Sequence, residues 1–335
     1  MSQEKVLVTG GAGYIGSHVV RDLGAAGYFP VVFDNLCTGN RDAVLCGELI
    51  VGDLADKAHI REVIQTHRIK HVIHFAAFIV VEESVAFPIK YYRNNFLNSL
   101  NLVEACAENG VENFVFSSTA AVYGIPQRLP VTEETPLSPI NPYGNSKMFT
   151  EHLLKDVSDV VDTFNYVALR YFNVAGADAQ NRIGQNYPKA THLITLALRA
   201  ALDPGSTLRI FGSDYDTPDG TAVRDYIHID DLSQAHLLSL EFLKTSRRSD
   251  IFNCGYGRGY SVLEVINGAK QVTGVDFKTI DSPRREGDPP ALIADSRKIR
   301  DMLSWKPRSD DLSYIIKTAW EWERKLRRER RLRGE

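Results

Sequence analysis

The sequence predicts an α/β protein in which a doubly wound parallel sheet is joined to a smaller α/β lobe. Over the first 120 residues, short apolar runs alternate with longer amphipathic ones, which is the pattern of β-α-β units. A glycine-rich turn separates the first apolar run from the first amphipathic one. Beyond residue 174 the alternation gives way to a stretch rich in Gly, Pro, Asp and Asn. Together these features indicate parallel strands with right-handed crossovers, followed by a lobe rich in loops.

Individual elements follow from the apolar runs and from the turn residues that bound them. The predicted strands are Lys5–Thr9, Pro30–Phe33, Glu48–Val51, Lys70–Phe75, Asn113–Ser117 and Tyr166–Tyr171. The predicted helices are Tyr14–Ala26, His59–His67, Asn98–Ala107, Asn145–Asp156 and Leu193–Ala201. Two loop-rich stretches remain, residues 174–225 outside their helix and Arg284–Pro290. We expect them to bind substrate, because loops longer than about 15 residues in a compact chain are usually functional.

These elements divide the chain into two domains and a tail. Residues 1–175, with return segments at about 221–255, form the sheet domain. Residues 176–220 and 256–325 form the smaller, substrate-binding lobe. Residues 326–335 are rich in arginine, and we interpret them as a solvated helix end, with electrostatic docking as the alternative.

Composition excludes several classes of protein. With 44% hydrophobic and 24% charged residues, the chain can form a sizeable core, and its net charge of -3 argues against a nucleic-acid binder. No apolar run approaches the roughly 18 residues of a membrane span, and the N-terminus is too polar for a signal peptide. Cys37, Cys46, Cys106 and Cys254 are scattered, as is typical of a reducing compartment. We expect a cytoplasmic protein without nucleic-acid or membrane partners.

The glycine-rich turn carries the spacing of a dinucleotide site. Gly10, Gly13 and Gly16 lie between the first strand and the first helix. Gly10 permits the tight turn, Gly13 lets the backbone reach a pyrophosphate, and Gly16 lets the helix pack close to the sheet. The helix N-terminus then presents free N–H groups and a positive dipole to the phosphates. This arrangement is that of a Rossmann sheet.

Two carboxylates extend this site. Asp34 closes the second strand, 18 residues beyond Gly16, where it can accept hydrogen bonds from the adenosine ribose. A 2'-phosphate would be repelled there and no arginine follows, so the sequence favours NAD over NADP. Asp53 follows the third strand, where it either bonds the adenine amino group or simply closes an Asx turn.

A tyrosine and a lysine supply the candidate chemistry. Tyr143 and Lys147 are four residues apart on a predicted helix and share one face of it. A phenol is a poor base at neutral pH, but a neighbouring ammonium group and an oxidised nicotinamide are expected to lower its pKa. Thr119, or Ser118 beside it, ends the fifth strand and should point a hydroxyl into the crevice where doubly wound sheets bind ligands.

Together these motifs resemble the UDP-glucose 4-epimerase branch of the extended short-chain dehydrogenase/reductase family. Further segments carry the resemblance, namely YYRNN at 91–95, RYFNVAGA at 170–177, GTAVRDYIH at 220–228 and PRREGD at 283–288. The similarity spans about residues 5–322. It implies inversion of carbon 4 of a UDP-hexose through a 4-keto intermediate, with NAD bound tightly and a homodimer as the assembly.

The resemblance also implies roles for individual residues. Tyr143, Lys147 and Thr119 are the expected catalytic residues. The expected NAD-binding residues are Gly10, Gly13, Tyr14, Ile15, Gly16, Asp34, Asn35, Asp53, Leu54, Phe75, Ala76, Asn95, Ser117, Tyr143, Lys147 and Tyr171. The expected substrate-binding residues are Thr119, Asn173, His192, Leu193, Arg209, Phe211, Arg224, Arg285, Asp288 and Leu292. Planar guanidinium groups suit a pyrophosphate independently of the resemblance.

This chain departs from the pattern at two positions. Ile79 replaces a lysine that approaches the cofactor in some members, and Glu82 stands where relatives have glycine. These changes do not alter the reaction class that the resemblance implies, but they leave the preferred sugar open. By resemblance Leu292 lines the site near carbon 2 of the sugar, where it either limits the size of the sugar or merely packs beneath the loop.

Other functions are less consistent with the residues. A sugar-nucleotide 4,6-dehydratase resembles this chain but carries an Asp-Glu pair after the threonine, where this chain has Ala120 and Ala121. A non-catalytic NAD-binding protein would not need the Tyr143–Lys147 pair. Epimerases of other UDP-sugars remain as alternatives. Nine histidines show no ligand-like pairing, so we expect no metal site.

Overall fold

Thirteen strands form three sheets in the computed structural model, which describes residues 3–285 and 288–333. The strands are β1 (Lys5–Thr9), β2 (Phe29–Asp34), β3 (Glu48–Val51), β4 (His71–His74), β5 (Asn113–Ser117), β6 (Asn165–Tyr171), β7 (Asn173–Ala175), β8 (Thr207–Phe211), β9 (Val223–His228), β10 (Asp250–Cys254), β11 (Gly259–Ser261), β12 (Lys278–Ser282) and β13 (Ala291–Leu292). Seven of them form one parallel sheet in the order β10-β6-β5-β4-β1-β2-β3. The predicted doubly wound sheet is confirmed.

Eleven α-helices connect and cover these strands in the described part of the chain. They are α1 (Tyr14–Ala25), α2 (Lys57–His67), α3 (Val81–Ala86), α4 (Pro88–Tyr91), α5 (Asn98–Glu108), α6 (Pro142–Val160), α7 (Leu193–Leu202), α8 (Ile229–Ser246), α9 (Val262–Thr273), α10 (Arg297–Leu303) and α11 (Leu312–Arg333). In residues 3–285 and 288–333, none of these helices is both long and apolar enough to cross a membrane.

Apart from its edge strand β3, the seven-stranded sheet is largely buried on both faces, because its residues alternate between two apolar layers. Along β1, Val6 and Val8 pack on one side with α1 and α8, whereas Leu7 packs on the other with α2, α5 and α6. Burying each such side chain contributes roughly 1.5–3 kcal/mol. Strands covered on both faces read as continuous apolar runs, which is why the sequence signal was strong here.

The strand order reverses between β1 and β4. Ligands bind outside the carboxyl ends of parallel strands at such a switch point. The turn after β1, residues 75–80 after β4 and residues 118–124 after β5 therefore all open toward one crevice.

The smaller lobe faces that crevice and contains more regular structure than the sequence indicated. Strands β7, β9, β11 and β13 form a second sheet, β8 and β12 form a parallel pair, and α7, α9 and α11 pack over them. The expectation of irregular structure over 174–225 is therefore wrong at β8. Its residues alternate between exposed and buried, with Leu208 and Ile210 pointing inward. That short alternation was readable, but the surrounding Gly, Pro and Asp residues obscured it.

The observed bounds of α6 and of the C-terminal tail can be compared with the predicted ones. Helix α6 begins at Pro142 and not at Asn145, because Asn141 caps it by accepting a hydrogen bond from the Gly144 N–H at 2.9 Å. The tail is helical as far as Arg333, as a continuation of α11. Within Arg284–Pro290, residues 286 and 287 lie outside the described residues. The division into two domains stays a prediction; of its return segment, β10 joins the large sheet and β9 the smaller one.

Candidate active site

One cavity of about 820 Å³ lies between the carboxyl edge of the large sheet and the smaller lobe. Its lining brings together residues that are as much as 282 positions apart in the chain, from Gly10 to Leu292. All the predicted substrate-binding residues line it: Thr119, Asn173, His192, Leu193, Arg209, Phe211, Arg224, Arg285, Asp288 and Leu292. So do all the predicted NAD-binding residues except Asn95 and Lys147, which lie behind the wall.

The glycine-rich turn forms one end of this cavity. Gly10 has a φ of +72°, and a Cβ there would come within 2.6 Å of the Ala76 nitrogen. A Cβ on Gly16 would overlap the Gly10 carbonyl oxygen, so Gly16 lets α1 approach the turn itself. Gly13 is the N-cap of α1 and provides no side-chain cap. The first N–H groups of the helix therefore face the cavity and suit a diphosphate.

Asp34 closes β2 beside this turn. Its two carboxylate oxygens accept hydrogen bonds from the Ala12 N–H at 3.0 Å and the Leu36 N–H at 2.8 Å. Burial raises the pKa of Asp34, and these backbone bonds partly oppose that rise. The carboxylate thus holds two loops in place and also borders the cavity.

Asp53 forms the Asx turn that its sequence suggested, and its contact with an adenine stays a prediction. One oxygen accepts from the Ala55 N–H at 2.8 Å in an Asx turn, and the other accepts from the Asn35 amide at 2.7 Å. Both Asn35 and Asp53 also line the cavity. Asp53 therefore forms an Asx turn and also borders the cavity.

The candidate catalytic residues meet at the centre of the cavity. Tyr143 is at the second position of α6 and Thr119 ends the loop after β5, and each is 8% exposed. Burial raises the pKa of Tyr143, while a hydrogen bond from Thr119 lowers it by less. The expected lowering of this pKa by Lys147 together with oxidised nicotinamide stays a prediction.

Lys147 lies one helical turn behind Tyr143. Its ammonium group donates to the Ser117 carbonyl at 2.8 Å and stands over the Phe116 ring. Burial lowers the pKa of Lys147 to about 7, against the raising effect of Glu151. The lysine therefore ties α6 to the end of β5 and does not border the cavity.

A buried ion pair between α6 and β6 holds Tyr143 and Lys147 in position. Glu151 is one turn beyond Lys147 and binds Arg170 of β6, with Arg170 Nη2 2.6 Å from Glu151 Oε2. The Ser118 hydroxyl donates to the same carboxylate. Ser118 therefore points away from the cavity, and Thr119 is the hydroxyl that borders it. Both charged side chains are at most 4% exposed, so the pair is almost fully desolvated.

Asn95 fixes the wall that follows β4. Its side chain is 1% exposed and bonds both the N–H and the carbonyl of Phe78, at 2.8 and 2.9 Å. Tyr91 does the same for Val80, at 3.0 and 2.7 Å. Asn95 lies in the π-helical segment Tyr92–Leu97, a feature often found near functional sites. Its hydrogen bonds hold this wall in place, and its contact with the cofactor stays a prediction.

The end of the cavity in the smaller lobe is cationic. Arg224 of β9 pairs with Asp288, and Arg285 stacks over the Phe211 ring at 4.0 Å. Arg209 of β8 borders the same region. The central residues therefore lie between guanidinium groups at this end and helix N–H groups at the opposite end, both of which suit anions.

Leu292 of β13 lines the cavity and is also packed. It is 8% exposed and joins an apolar cluster with Ala120, Val122 and Phe172. The two interpretations of Leu292, limiting the sugar and packing the loop, are therefore compatible.

Several residues of the lining were missed from the sequence. Tyr187 and Thr191 come from the loop before α7, and Cys37 and Thr38 come from the loop after β2. Their segments have no periodic pattern, so nothing marked them. Glu82, which stands where relatives have glycine, also borders the cavity. In residues 3–285 and 288–333, no group of three or more His, Cys, Asp or Glu side chains could hold a metal ion.

The glycine-rich turn, Asp34 and the Tyr143–Lys147 pair on a doubly wound sheet define an NAD-dependent enzyme of the short-chain dehydrogenase/reductase class. Residues 6–255 match the NAD dependent epimerase/dehydratase family, and the chain belongs to that family.

Relatives are similar over nearly the whole chain. A UDP-glucose 4-epimerase of Azospirillum brasilense is 50% identical over 323 residues, covering 96% of this chain and 92% of the relative. A crystal structure of the Brucella ovis UDP-glucose 4-epimerase in complex with NAD has a TM-score of 0.92 at 44% identity, covering 95% and 98% of the two chains. The UDP-Glc/GlcNAc 4-epimerase of Campylobacter jejuni has a TM-score of 0.85 at 48% identity, covering 96% and 99%.

We predict that Glu151→Gln destabilises the protein by about 3–5 kcal/mol, because it leaves the Arg170 guanidinium buried without its counter-ion. The matched variant Glu151→Gln/Arg170→Met removes both charges and should recover most of that loss. Denaturant midpoints of the wild type and the two variants measure the difference. A single variant as stable as the double variant would contradict the importance of the pair.

Proposed function

We propose that the protein interconverts UDP-glucose and UDP-galactose by inverting carbon 4, with NAD bound throughout the cycle. The observation that carries this proposal is that the dinucleotide-type turn, the Tyr143–Thr119 pair and the arginines of the smaller lobe share one cavity. A dinucleotide and a nucleotide sugar can therefore meet at Tyr143. The names of the relatives, among them UDP-glucose 4-epimerases, support this choice.

The described residues fit NAD. The N–H groups at the start of α1 suit its diphosphate, and Asp34 suits the ribose hydroxyls while opposing a 2'-phosphate. Ser117 and Tyr171, whose hydroxyl groups are hydrogen-bonded to each other, border the cavity near Tyr143. When bound, NAD+ would accept the hydride from carbon 4 of the sugar and would later return it to that carbon.

Tyr143 is the proposed base. As phenolate it removes the proton of the 4-hydroxyl, while Thr119 hydrogen-bonds the same oxygen and relays the proton. Lys147 holds α6, and with it Tyr143, against the end of β5. After oxidation the sugar carries a flat 4-keto group, which must turn over before reduction on its other face. Arg224 and Arg285 hold the UDP firmly enough for the sugar to turn while the nucleotide stays bound.

Dehydration is not supported at this site. Ala120 and Ala121 line the cavity beside Thr119, and their methyl groups cannot transfer protons. Among the described lining residues, the carboxylates are Asp34, Asp53, Glu82 and Asp288. Asp34 and Asp53 are bonded at the dinucleotide end, Asp288 pairs with Arg224 and Glu82 with Arg285. Among the described residues, the centre of the cavity therefore has no pair of carboxylates for loss of water.

We further propose that the protein is a cytoplasmic homodimer. Apolar side chains are exposed along α3, α4, α5 and α6 and their connections, at Val85, Phe87, Ile89, Leu97 and Phe149. A patch of this kind favours a symmetric contact between two copies. Light scattering of the purified protein tests the assembly, and a mass of 37.5 kDa would contradict it. Location in the cytoplasm stays a prediction from the scattered cysteines.

Replacing Tyr143 by phenylalanine tests the base directly. We predict that Tyr143→Phe loses about 10²–10⁴-fold in kcat while UDP binding stays close to that of the wild type. Tyr314→Phe, on the exposed surface of α11, is the matched control and should leave kcat unchanged. Activity of Tyr143→Phe above about a tenth of the wild-type kcat would show that another group is the base. Absence of turnover in the wild type would favour a non-catalytic NAD-binding protein.

The size of the accepted sugar is predicted to depend on Leu292. Its side chain crowds an acetamide without excluding it, so UDP-N-acetylglucosamine should react with a kcat/KM roughly 10- to 100-fold below that of UDP-glucose. Leu292→Ser should narrow this difference and Leu292→Tyr should widen it. Steady-state kinetics on both sugars measure the ratio. Equal ratios for all three proteins would mean that Leu292 only packs the loop.

A further inference from the structure

An acidic residue from the sheet domain reaches across the cavity to the arginine of the smaller lobe. Glu82, at the start of α3, places Oε1 2.9 Å from Nε of Arg285, which follows β12. Both side chains line the cavity. The contact thus joins the two walls at the end that, under the proposed function, receives the UDP diphosphate.

The chain holds Glu82 in this position through its neighbours. The Tyr91 hydroxyl bonds both the N–H and the carbonyl of Val80, which fixes the backbone immediately before α3. The adjacent carboxylate, Glu83, turns the other way and pairs with Lys90 at 2.7 Å. Two consecutive acidic residues therefore face different surroundings, and only Glu82 borders the cavity.

Arg285 is positioned independently of Glu82. Its guanidinium group lies over the Phe211 ring at 4.0 Å, which holds the plane against the cavity wall. The contact with Glu82 is ionic, since Arg285 Nε has no aligned hydrogen-bond partner among the described residues. Removing Glu82 would accordingly leave the guanidinium in place and make it more attractive to an anion.

We propose that Glu82 is an intramolecular competitor of the UDP diphosphate for Arg285, and that it weakens nucleotide binding. A carboxylate next to the guanidinium group offsets its charge and repels the incoming phosphates. The Arg285 guanidinium group can pair fully with the Glu82 carboxylate or with the diphosphate, but not with both at once. Glu82 would thereby favour release of the UDP-sugar after each inversion. This inference rests on the proposed function, because it assumes that UDP lies against Arg285.

Calorimetric titration of UDP into the NAD-containing protein tests the proposal. Glu82→Gln should lower the Kd for UDP about three- to fivefold at low ionic strength, a modest effect because the Glu82 side chain is 62% exposed. The gain should shrink at 0.5 M salt, where charges on the surface are screened. Glu83→Gln is the matched control: it removes one negative charge from the next residue and should leave the Kd within twofold.

A double-mutant cycle assigns the effect to Arg285. In an Arg285→Ala background, Glu82→Gln should no longer tighten UDP binding. Equal tightening in both backgrounds would mean that Glu82 acts through the general potential, which overturns the proposal. An unchanged or weaker affinity of Glu82→Gln in the wild-type background would overturn it as well, because Glu82 would then be neutral or would hold the ligand.

The same titration separates this proposal from the proposed function. UDP binding by the wild type with no change in Glu82→Gln would reject only the competitor role. Failure of the wild type and of Glu82→Gln to bind UDP would reject the UDP-sugar function itself, together with the inference that rests on it.

Discussion

The buried pair of Glu151 and Arg170 is the contact on which the rest of the site depends. Through it, α6 is fixed to β6, and through Ser118 the same carboxylate fixes the end of β5. Tyr143 and Lys147 precede Glu151 on one face of α6, and Thr119 follows Ser118. The relative positions of the base, the lysine and the hydroxyl are thus set by one desolvated carboxylate. An arginine with several donors is needed because an unpaired charge there would be too costly.

The cavity itself follows from the topology. Reversal of strand order between β1 and β4 opens a crevice, the glycine-rich turn closes one end of it, and the smaller lobe supplies cations at the other. A ligand with a diphosphate can therefore be held at each end, while chemistry takes place between them. Binding of the phosphates at fixed points leaves the sugar free to turn, which an inversion by oxidation and reduction requires.

Sequence predicts the parts of this molecule that local patterns encode. The strands of the large sheet and the spacing of Gly10, Gly13 and Gly16 were readable because burial on both faces and tight turns restrict residue choice. Asn95 shows the limit, because no local pattern indicates that its amide holds the Phe78 backbone. The pKa of Tyr143 likewise depends on burial by distant segments, which no local pattern contains. The Glu82–Arg285 contact joins residues 203 positions apart and was invisible for the same reason.

Under the proposed function, one hydride leaves carbon 4 of the sugar and returns to it within a single cavity. Incubation of the purified protein with UDP-galactose that carries deuterium at carbon 4 tests this return of the hydride. We expect UDP-glucose that retains the deuterium at carbon 4, both without added cofactor and with excess unlabelled NADH. Loss of the label to water, loss through exchange of the bound reduced cofactor with the added NADH, or a requirement for added cofactor would show that the hydride does not stay within the cavity.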